Sequence, residues 1–286
     1  MQFAITVTDR YLDIFQALVS RGWKPLKVFT CKVDNRINKN GAVIDFARQL
    51  NVEVQISRLS DNNLRELSDA GCEALVLASY EWRIGDWQRY LPYAVNFHPA
   101  PLPRGRGAYP LPAAILEKAP TWGVTCHKVA PEFDSGDVLK SREFQLSAQD
   151  DHDSLDLRIQ LAGKALAGDV AEHFVAYWDA ATPQSGPVSY YAKWTDVDRR
   201  LDFTQTVEQI LRRVRAFGPL ECVAQMNNST LFVQRAVGWA ESHALAPGTV
   251  VHVNSLSIVI AVADGYVGLT QWSLINADTV VGTPRR

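Results

Sequence analysis

The feature that most limits the fold is a strand that has to stop. Tyr93-Ala94-Val95-Asn96-Phe97-His98 reads as a strand, and Pro99, Pro101 and Pro103 follow at once. Proline has no N–H for a sheet ladder, so the strand ends at His98. Asn96 and His98 sit two apart and leave the strand on the same face. Both therefore stand at a carboxyl end, above a loop that contains Gly105-Arg106-Gly107. In open α/β sheets, ligands bind outside the carboxyl ends of the strands.

Upstream of that strand the chain alternates. Phe3 to Val7, Pro25 to Cys31, Val52 to Ile56 and Ala74 to Ala78 are short apolar runs suited to buried parallel strands. Helical spacing fills the gaps at Tyr11 to Ser20, Ala42 to Leu50, Leu64 to Ala70 and Arg83 to Leu91. This alternation predicts an α/β fold with a Rossmann-like, mostly parallel sheet. Downstream, Pro110 to Lys118 reads as a helix. Thr121 to Val129 and Val138 to Leu146 read as strands, and Asp153 to Trp178 as one long helix.

The pattern then changes. A turn-rich connection, Thr182-Pro183-Gln184-Ser185-Gly186-Pro187, precedes a helix from Thr206 to Phe217. Short strand-like runs follow it, at Glu221 to Gln225, Leu231 to Gly238, Gly248 to Val253, Ser257 to Ala263 and Tyr266 to Leu274. Turn signals at Asn227-Asn228 and Asp264-Gly265 help to separate them. The expected organisation is a catalytic domain over residues 1–181, a linker over 182–199 and, over 200–286, a helix with a small, OB-like β-barrel.

The residue types around the stopped strand suggest a chemistry. An Asn amide and a His ring can both donate hydrogen bonds to an oxygen that becomes negative during attack on a carbonyl. Asp134 is a candidate to accept a proton from the attacking group. No Ser, Cys or Lys lies close in sequence as an obvious nucleophile, which favours direct transfer between two substrates. The alternative is structural: His98 caps a strand, Asn96 bonds the loop, and Asp134 turns the chain with Ser135-Gly136. His127 reads as a satisfied structural histidine.

The ordered set Asn96-x-His98-x-x-x-Leu102-Pro103, Arg106-Gly107, Pro110, Gly123-Val124-Thr125-x-His127 and Asp134-x-Gly136 resembles the 10-formyltetrahydrofolate-dependent formyltransferases. That family includes methionyl-tRNA, glycinamide ribonucleotide and sugar N-formyltransferases. The resemblance implies that Asn96, His98 and Asp134 are catalytic and that 10-formyltetrahydrofolate is the co-substrate. It implies folate contacts from Ser79, Tyr80, Trp82, Arg83, Ile84, Leu102, Pro103 and Gly136. Tyr80 and Trp82 would wall the pterin slot or the acceptor site, or simply pack. Ala100-Pro101 stands where family members often carry Ser-Leu. Arg215-Ala216-Phe217 and Pro247-Gly248-Thr249-Val250 resemble the C-terminal domain of the methionyl-tRNA and sugar enzymes.

Composition narrows the partners. A formal net charge of -2, with 47% hydrophobic residues, gives no overall drive toward nucleic acid or membrane. Between Gln225 and Trp272 only Arg235 is a Lys or Arg, whereas a tRNA surface wants several phosphate contacts. The polar loop from Cys31 to Gly41, with Lys32, Arg36 and Lys39, is shorter and less basic than its counterpart in methionyl-tRNA formyltransferases. The expected acceptor is therefore a small-molecule amine, an amino sugar nucleotide or an amino-acid-derived metabolite. Methionyl-tRNA is the runner-up, and a folate-binding hydrolase or inactive relative comes third. Whether the chain forms a homodimer is open.

No G-x-G-x-x-G or Walker loop occurs, which disfavours a dehydrogenase. Cys31, Cys72, Cys126 and Cys222 are too scattered for a zinc site, so no metal is expected. Asp9 and Arg10 come too early for a signal peptide, and no run approaches a membrane helix. The expected location is the cytoplasm.

Overall fold

The computed structural model describes residues 1–33, 38–226 and 228–275. Arg36 and Asn227 lie outside the described residues. In chain order the strands are β1 (Gln2–Val7), β2 (Lys24–Phe29), β3 (Glu53–Gln55), β4 (Ala74–Ala78), β5 (Tyr93–His98), β6 (Arg106–Gly107), β7 (Thr121–Lys128), β8 (Val138–Gln145), β9 (Tyr190–Tyr191), β10 (Cys222–Met226), β11 (Ser229–Ala240), β12 (Val250–Val253), β13 (Ile258–Val262) and β14 (Gly265–Ser273). The helices are α1 (Leu12–Ser20), α2 (Gly41–Gln49), α3 (Asp61–Asp69), α4 (Leu111–Leu116), α5 (His152–Asp179) and α6 (Val207–Phe217). No helix of the described residues is long and apolar enough to cross a membrane.

The chain divides into two compact units. The first holds Met1–Pro110, Thr121–Gln145 and Leu157–Ala192. Its sheet has the order β3-β2-β1-β4-β5-β7-β8. The first five of these strands run parallel, whereas β7 and β8 are antiparallel additions. β4 is buried at every residue, as a strand covered on both faces must be. Aromatic rings meet edge to face beside β1: Phe3 of that strand meets Phe15 at 6.0 Å and Trp23 at 5.6 Å, and Trp23 meets Phe174 at 5.1 Å.

The second unit holds Leu111–Pro120, Leu146–Asp156 and the chain from Lys193 onward. The expected strand-rich half is a five-stranded antiparallel sheet of order β10-β11-β14-β13-β12. Ile210, Val214 and Phe217 of α6 pack with Val233, Ile260, Val267 and Leu269 of the strands into one apolar core. Thr206 caps α6, accepting from Gln209 N at 3.3 Å while Gln209 Oε1 accepts from Thr206 N at 3.0 Å.

Two local expectations change. Arg83 to Leu91 is not a helix; it contains only a 3-10 turn at Trp87–Arg89. Gly85 and Asp86 are weak helix formers, and Gly85 O closes a tight bond to Trp87 N at 2.7 Å. Residues 182–199 are not a free linker. Tyr190–Tyr191 pairs with Arg106–Gly107, Ser189 Oγ accepts from Gly105 N at 2.9 Å, and the chain from Lys193 belongs to the second unit.

Candidate active site

Asn96 and His98 leave β5 on one face, and antiparallel β7 brings two more residues beside them. Asn96 is directly opposite His127, and His98 is opposite Thr125. Thr125 fixes the proline-rich loop: its hydroxyl donates to Ala100 O at 2.8 Å and accepts from Leu102 N at 3.2 Å. Ala100 is fully buried, so the methyl standing where relatives often carry a hydroxyl points into the core and not into solvent.

Hydrogen-bond geometry assigns the protons. His127 Nδ1 lies 2.8 Å from Lys128 O, and a carbonyl only accepts, so Nδ1 carries a proton. In the neutral ring Nε2 then accepts from Asn96 Nδ2 at 3.1 Å. The second proton on Asn96 Nδ2 goes to Asp134 Oδ1 at 3.2 Å. His98 Nε2 lies 2.7 Å from Gly105 O and donates to it. Nδ1 of His98 therefore faces Asp134 Oδ1, at 3.3 Å.

Asp134 is the point on which this network converges. Its backbone is left-handed, with φ of +56°, an unusual conformation for a residue other than glycine. Oδ2 accepts from Gly107 N at 2.9 Å. Burial opposes its charge, but the His98 ring and the Gly107 N–H more than offset that, and the carboxyl is held well below its ordinary value. Burial pushes the His98 ring below its ordinary value, and the Asp134 charge resists this. The two directions conflict, because the ring whose charge holds Asp134 ionised is the ring that burial would neutralise. Geometry decides for one proton between them, since without it two acceptors would face each other at 3.3 Å.

Beside this cluster is an open cleft of about 470 Å³. Tyr80, Trp82, Ile84 and Phe133 supply its aromatic and apolar wall, and Asn96, His127 and Asp134 its polar end. Arg83 also lines the cleft, with its guanidinium 5.4 Å from the Phe133 ring centre. Tyr80 and Trp82 meet edge to face at 5.2 Å. Ser79, with φ of +108°, lines a separate cavity of about 390 Å³ that shares Tyr80 and Trp82.

Besides Ser79, three of the expected folate contacts, Leu102, Pro103 and Gly136, do not line this cleft. Leu102 and Pro103 are not among its lining residues, because the Leu102 N–H is turned to Thr125. Gly136 is absent from the lining as well. A Cβ there would stand 1.9 Å from Lys128 O, so glycine is required for close backbone approach.

Residues 29–170 match the family described as formyl transferase, and residues 193–281 match its formyl transferase C-terminal domain. The chain belongs to the formyltransferase family. Among its relatives is a methionyl-tRNA formyltransferase of Janthinobacterium sp. (strain Marseille), 30% identical over 179 residues, or 62% of this chain. The chain spans 57% of that relative's length.

Solved structures of similar fold include HypX from Aquifex aeolicus in complex with tetrahydrofolic acid. The TM-score is 0.70 at 18% identity, covering 99% of this chain and 47% of that one. The N-formyltransferase from Helicobacter canadensis, with folinic acid and dTDP-3-aminofucose, gives 0.67 at 14% identity, covering 95% and 99%. At these identities the likeness is one of fold.

Within this formyltransferase-family chain, His127 is part of the cluster, where its own residue context suggests a structural histidine although it falls within the family motif. Gln184 is a second residue the sequence does not single out. Its Nε2 donates to Asp134 O at 2.7 Å and to Gly136 O at 2.9 Å. The signal that would have found His127 is the β5–β7 register, which no spacing within one strand reveals. Cys126, between Thr125 and His127, faces the other side of β7, and full burial pushes its thiol far up, so it is no nucleophile.

Proposed function

We propose that this chain is an N-formyltransferase. It carries the formyl group of 10-formyltetrahydrofolate to the primary amine of a small acceptor, an amino sugar nucleotide or an amino-acid-derived metabolite. The observation that carries this reading is the convergence of two N–H donors, Asn96 Nδ2 and His98 Nδ1, on one buried carboxylate oxygen beside an aromatic-walled cleft.

The cleft suits a flat heteroaromatic ring: Tyr80, Trp82 and Phe133 offer faces and edges, and Ile84 an apolar floor. When bound, the folate supplies an activated formyl carbonyl. Asp134 is the candidate acceptor of the proton that the attacking amine must lose; its depressed carboxyl is a weak base, so the proton comes from the acidic ammonium formed once the amine has bonded to the formyl carbon. Oδ1 is the accepting atom in this reading because it is the oxygen that faces Asn96 and His98, whereas Oδ2 is held by the Gly107 N–H. Once protonated there, Oδ1 ceases to attract Asn96 Nδ2–H and His98 Nδ1–H. Both donors are then free to stabilise the charge developing on the transferred carbonyl's oxygen. Collapse of that adduct breaks the formyl carbon's bond to the folate nitrogen, which takes the proton from Asp134 and leaves as tetrahydrofolate. His127 holds the Asn96 amide in register for this.

Mass spectrometry of a panel of amines incubated with the protein and 10-formyltetrahydrofolate tests the proposal. A gain of one formyl group names the acceptor. Tetrahydrofolate release with no formylated amine would instead identify a hydrolase, and no folate turnover or binding would sink the reading.

Methionyl-tRNA is the second reading, favoured by the name of the curated relative. Against it stands the second unit, in which Arg235 is the only Lys or Arg between Gln225 and Trp272 and is paired with Asp153 at 3.2 Å. Efficient formylation of methionyl-tRNA on a charging gel at physiological salt would reverse the ranking.

A further inference from the structure

The segment after α5 carries a half-buried hydrogen-bond hub. Gln184 has its whole side-chain amide engaged. Its two N–H groups go to the carbonyls of Asp134 and Gly136, and Oε1 accepts from Arg106 Nε at 3.1 Å and Nη2 at 2.7 Å. The amide orientation is forced, because carbonyls only accept and a guanidinium only donates.

The same segment holds the other side of the aspartate. The Gly107 N–H that binds Asp134 Oδ2 belongs to β6, and β6 pairs with β9 a few residues beyond Gln184. Gly107 is itself tightly fitted, since a Cβ there would stand 2.1 Å from Tyr191 O. Residues 184–191 thus hold Asp134 twice: by its main-chain carbonyl directly, and by its carboxylate through Gly107.

We infer that Gln184 is a positioning residue that fixes Asp134 Oδ1 within hydrogen-bond reach of Asn96 and His98. The inference rests on the proposed formyl transfer. It adds a residue that touches no reacting group but sets the place of the proton acceptor. Asp134 needs such a clamp because its own backbone is in the left-handed region, which a free turn would relax. A displacement of about 1 Å at such a site is enough to lower turnover about a hundredfold.

Two variants separate this role from general support of the loop. Gln184→Ala removes both sets of bonds. Gln184→Glu keeps an acceptor for Arg106 but loses the two donors to Asp134 and Gly136. Each is followed by thermal melting, by kcat and KM for tetrahydrofolate formation from 10-formyltetrahydrofolate, and by NMR titration of the His98 imidazole. His98 and His127 are the titratable groups that face Asp134, so the His98 signals report the carboxylate's place without any turnover.

The expected result is a fall in kcat of tenfold or more in both variants. KM for 10-formyltetrahydrofolate stays within about twofold, melting is near wild type, and the His98 titration is shifted. Wild-type kcat and titration in Gln184→Ala, or a wild-type Gln184→Glu beside a damaged Gln184→Ala, would overturn the inference. If the wild-type protein turns over no folate at all, the proposed function fails. The His98 titration still decides the positioning role.

Discussion

Asn96 and His127 face each other across the antiparallel pair β5–β7, with Asn96 Nδ2 3.1 Å from His127 Nε2. This contact commits one amide proton of Asn96 to His127 and leaves the other on Asp134. His127→Phe keeps the ring volume but removes the acceptor. The Asn96 amide then has no fixed orientation, and kcat should fall by roughly tenfold to a hundredfold. Folate affinity, measured by calorimetry with 5-formyltetrahydrofolate, should change little. An unchanged kcat would show that Asn96 is oriented by something else.

Asp134 also makes stability depend on pH. Its carboxyl is depressed from 3.8 to about 2 in the folded protein. A depressed carboxyl adds stability above its unfolded value and loses it as pH falls through the folded one. The contribution, about 2 kcal/mol, should be complete above about pH 4 and decline toward pH 2. Urea unfolding of wild type and Asp134→Asn measures it. The gap between the two should narrow below pH 4, and a gap independent of pH would contradict the assignment.

Gly107 joins the β6–β9 pairing to the carboxylate of Asp134. Its φ is +104° and a Cβ would meet Tyr191 O at 2.1 Å, so no side chain fits without moving backbone. Gly107→Ala should destabilise the fold by about 3 kcal/mol and lower turnover together with stability. Thermal melting beside activity checks this. A stable, active variant would mean that the β6–β9 contact gives way at little cost.

Much of this site is written in local sequence, and the rest is not. Asn96 and His98 are readable because a period of two and a run of prolines fix both their face and their place at the strand end. The alternation of elements before them gives the parallel sheet for similar reasons. His127 falls within the recognised motif, but its residue type alone reads as structural, because its meeting with Asn96 is set by register between antiparallel strands. Gln184 is 50 residues from Asp134 in a stretch that looks only like turns. Leu102 and Pro103 belong to the recognisable motif, and the loop they stiffen turns the Leu102 N–H to Thr125. Local pattern reports conformation, and a site assembled from three separate segments is a property of the fold.

Asn96 and Asp134 are coupled through a single oxygen. Asn96 Nδ2 and His98 Nδ1 both point at Asp134 Oδ1, at 3.2 and 3.3 Å. Neither is free for another oxygen while that atom carries a full negative charge. Arrival of the amine's proton on Oδ1 releases them, so proton removal and oxygen stabilisation occur as one event. Residues that act as a unit lose their effect together. Asn96→Ala and Asp134→Asn should each lower kcat on the order of a hundredfold or more. The double variant should be little worse than the poorer single one, because removing either partner already breaks the coupling. Folate affinity by calorimetry should stay near wild type in all three, and stability in melting should fall in the two Asp134→Asn variants by no more than the ~2 kcal/mol that the carboxylate contributes, which separates lost chemistry from lost fold. Losses that multiply in the double variant would mean that the two residues act independently and that the release step is wrong.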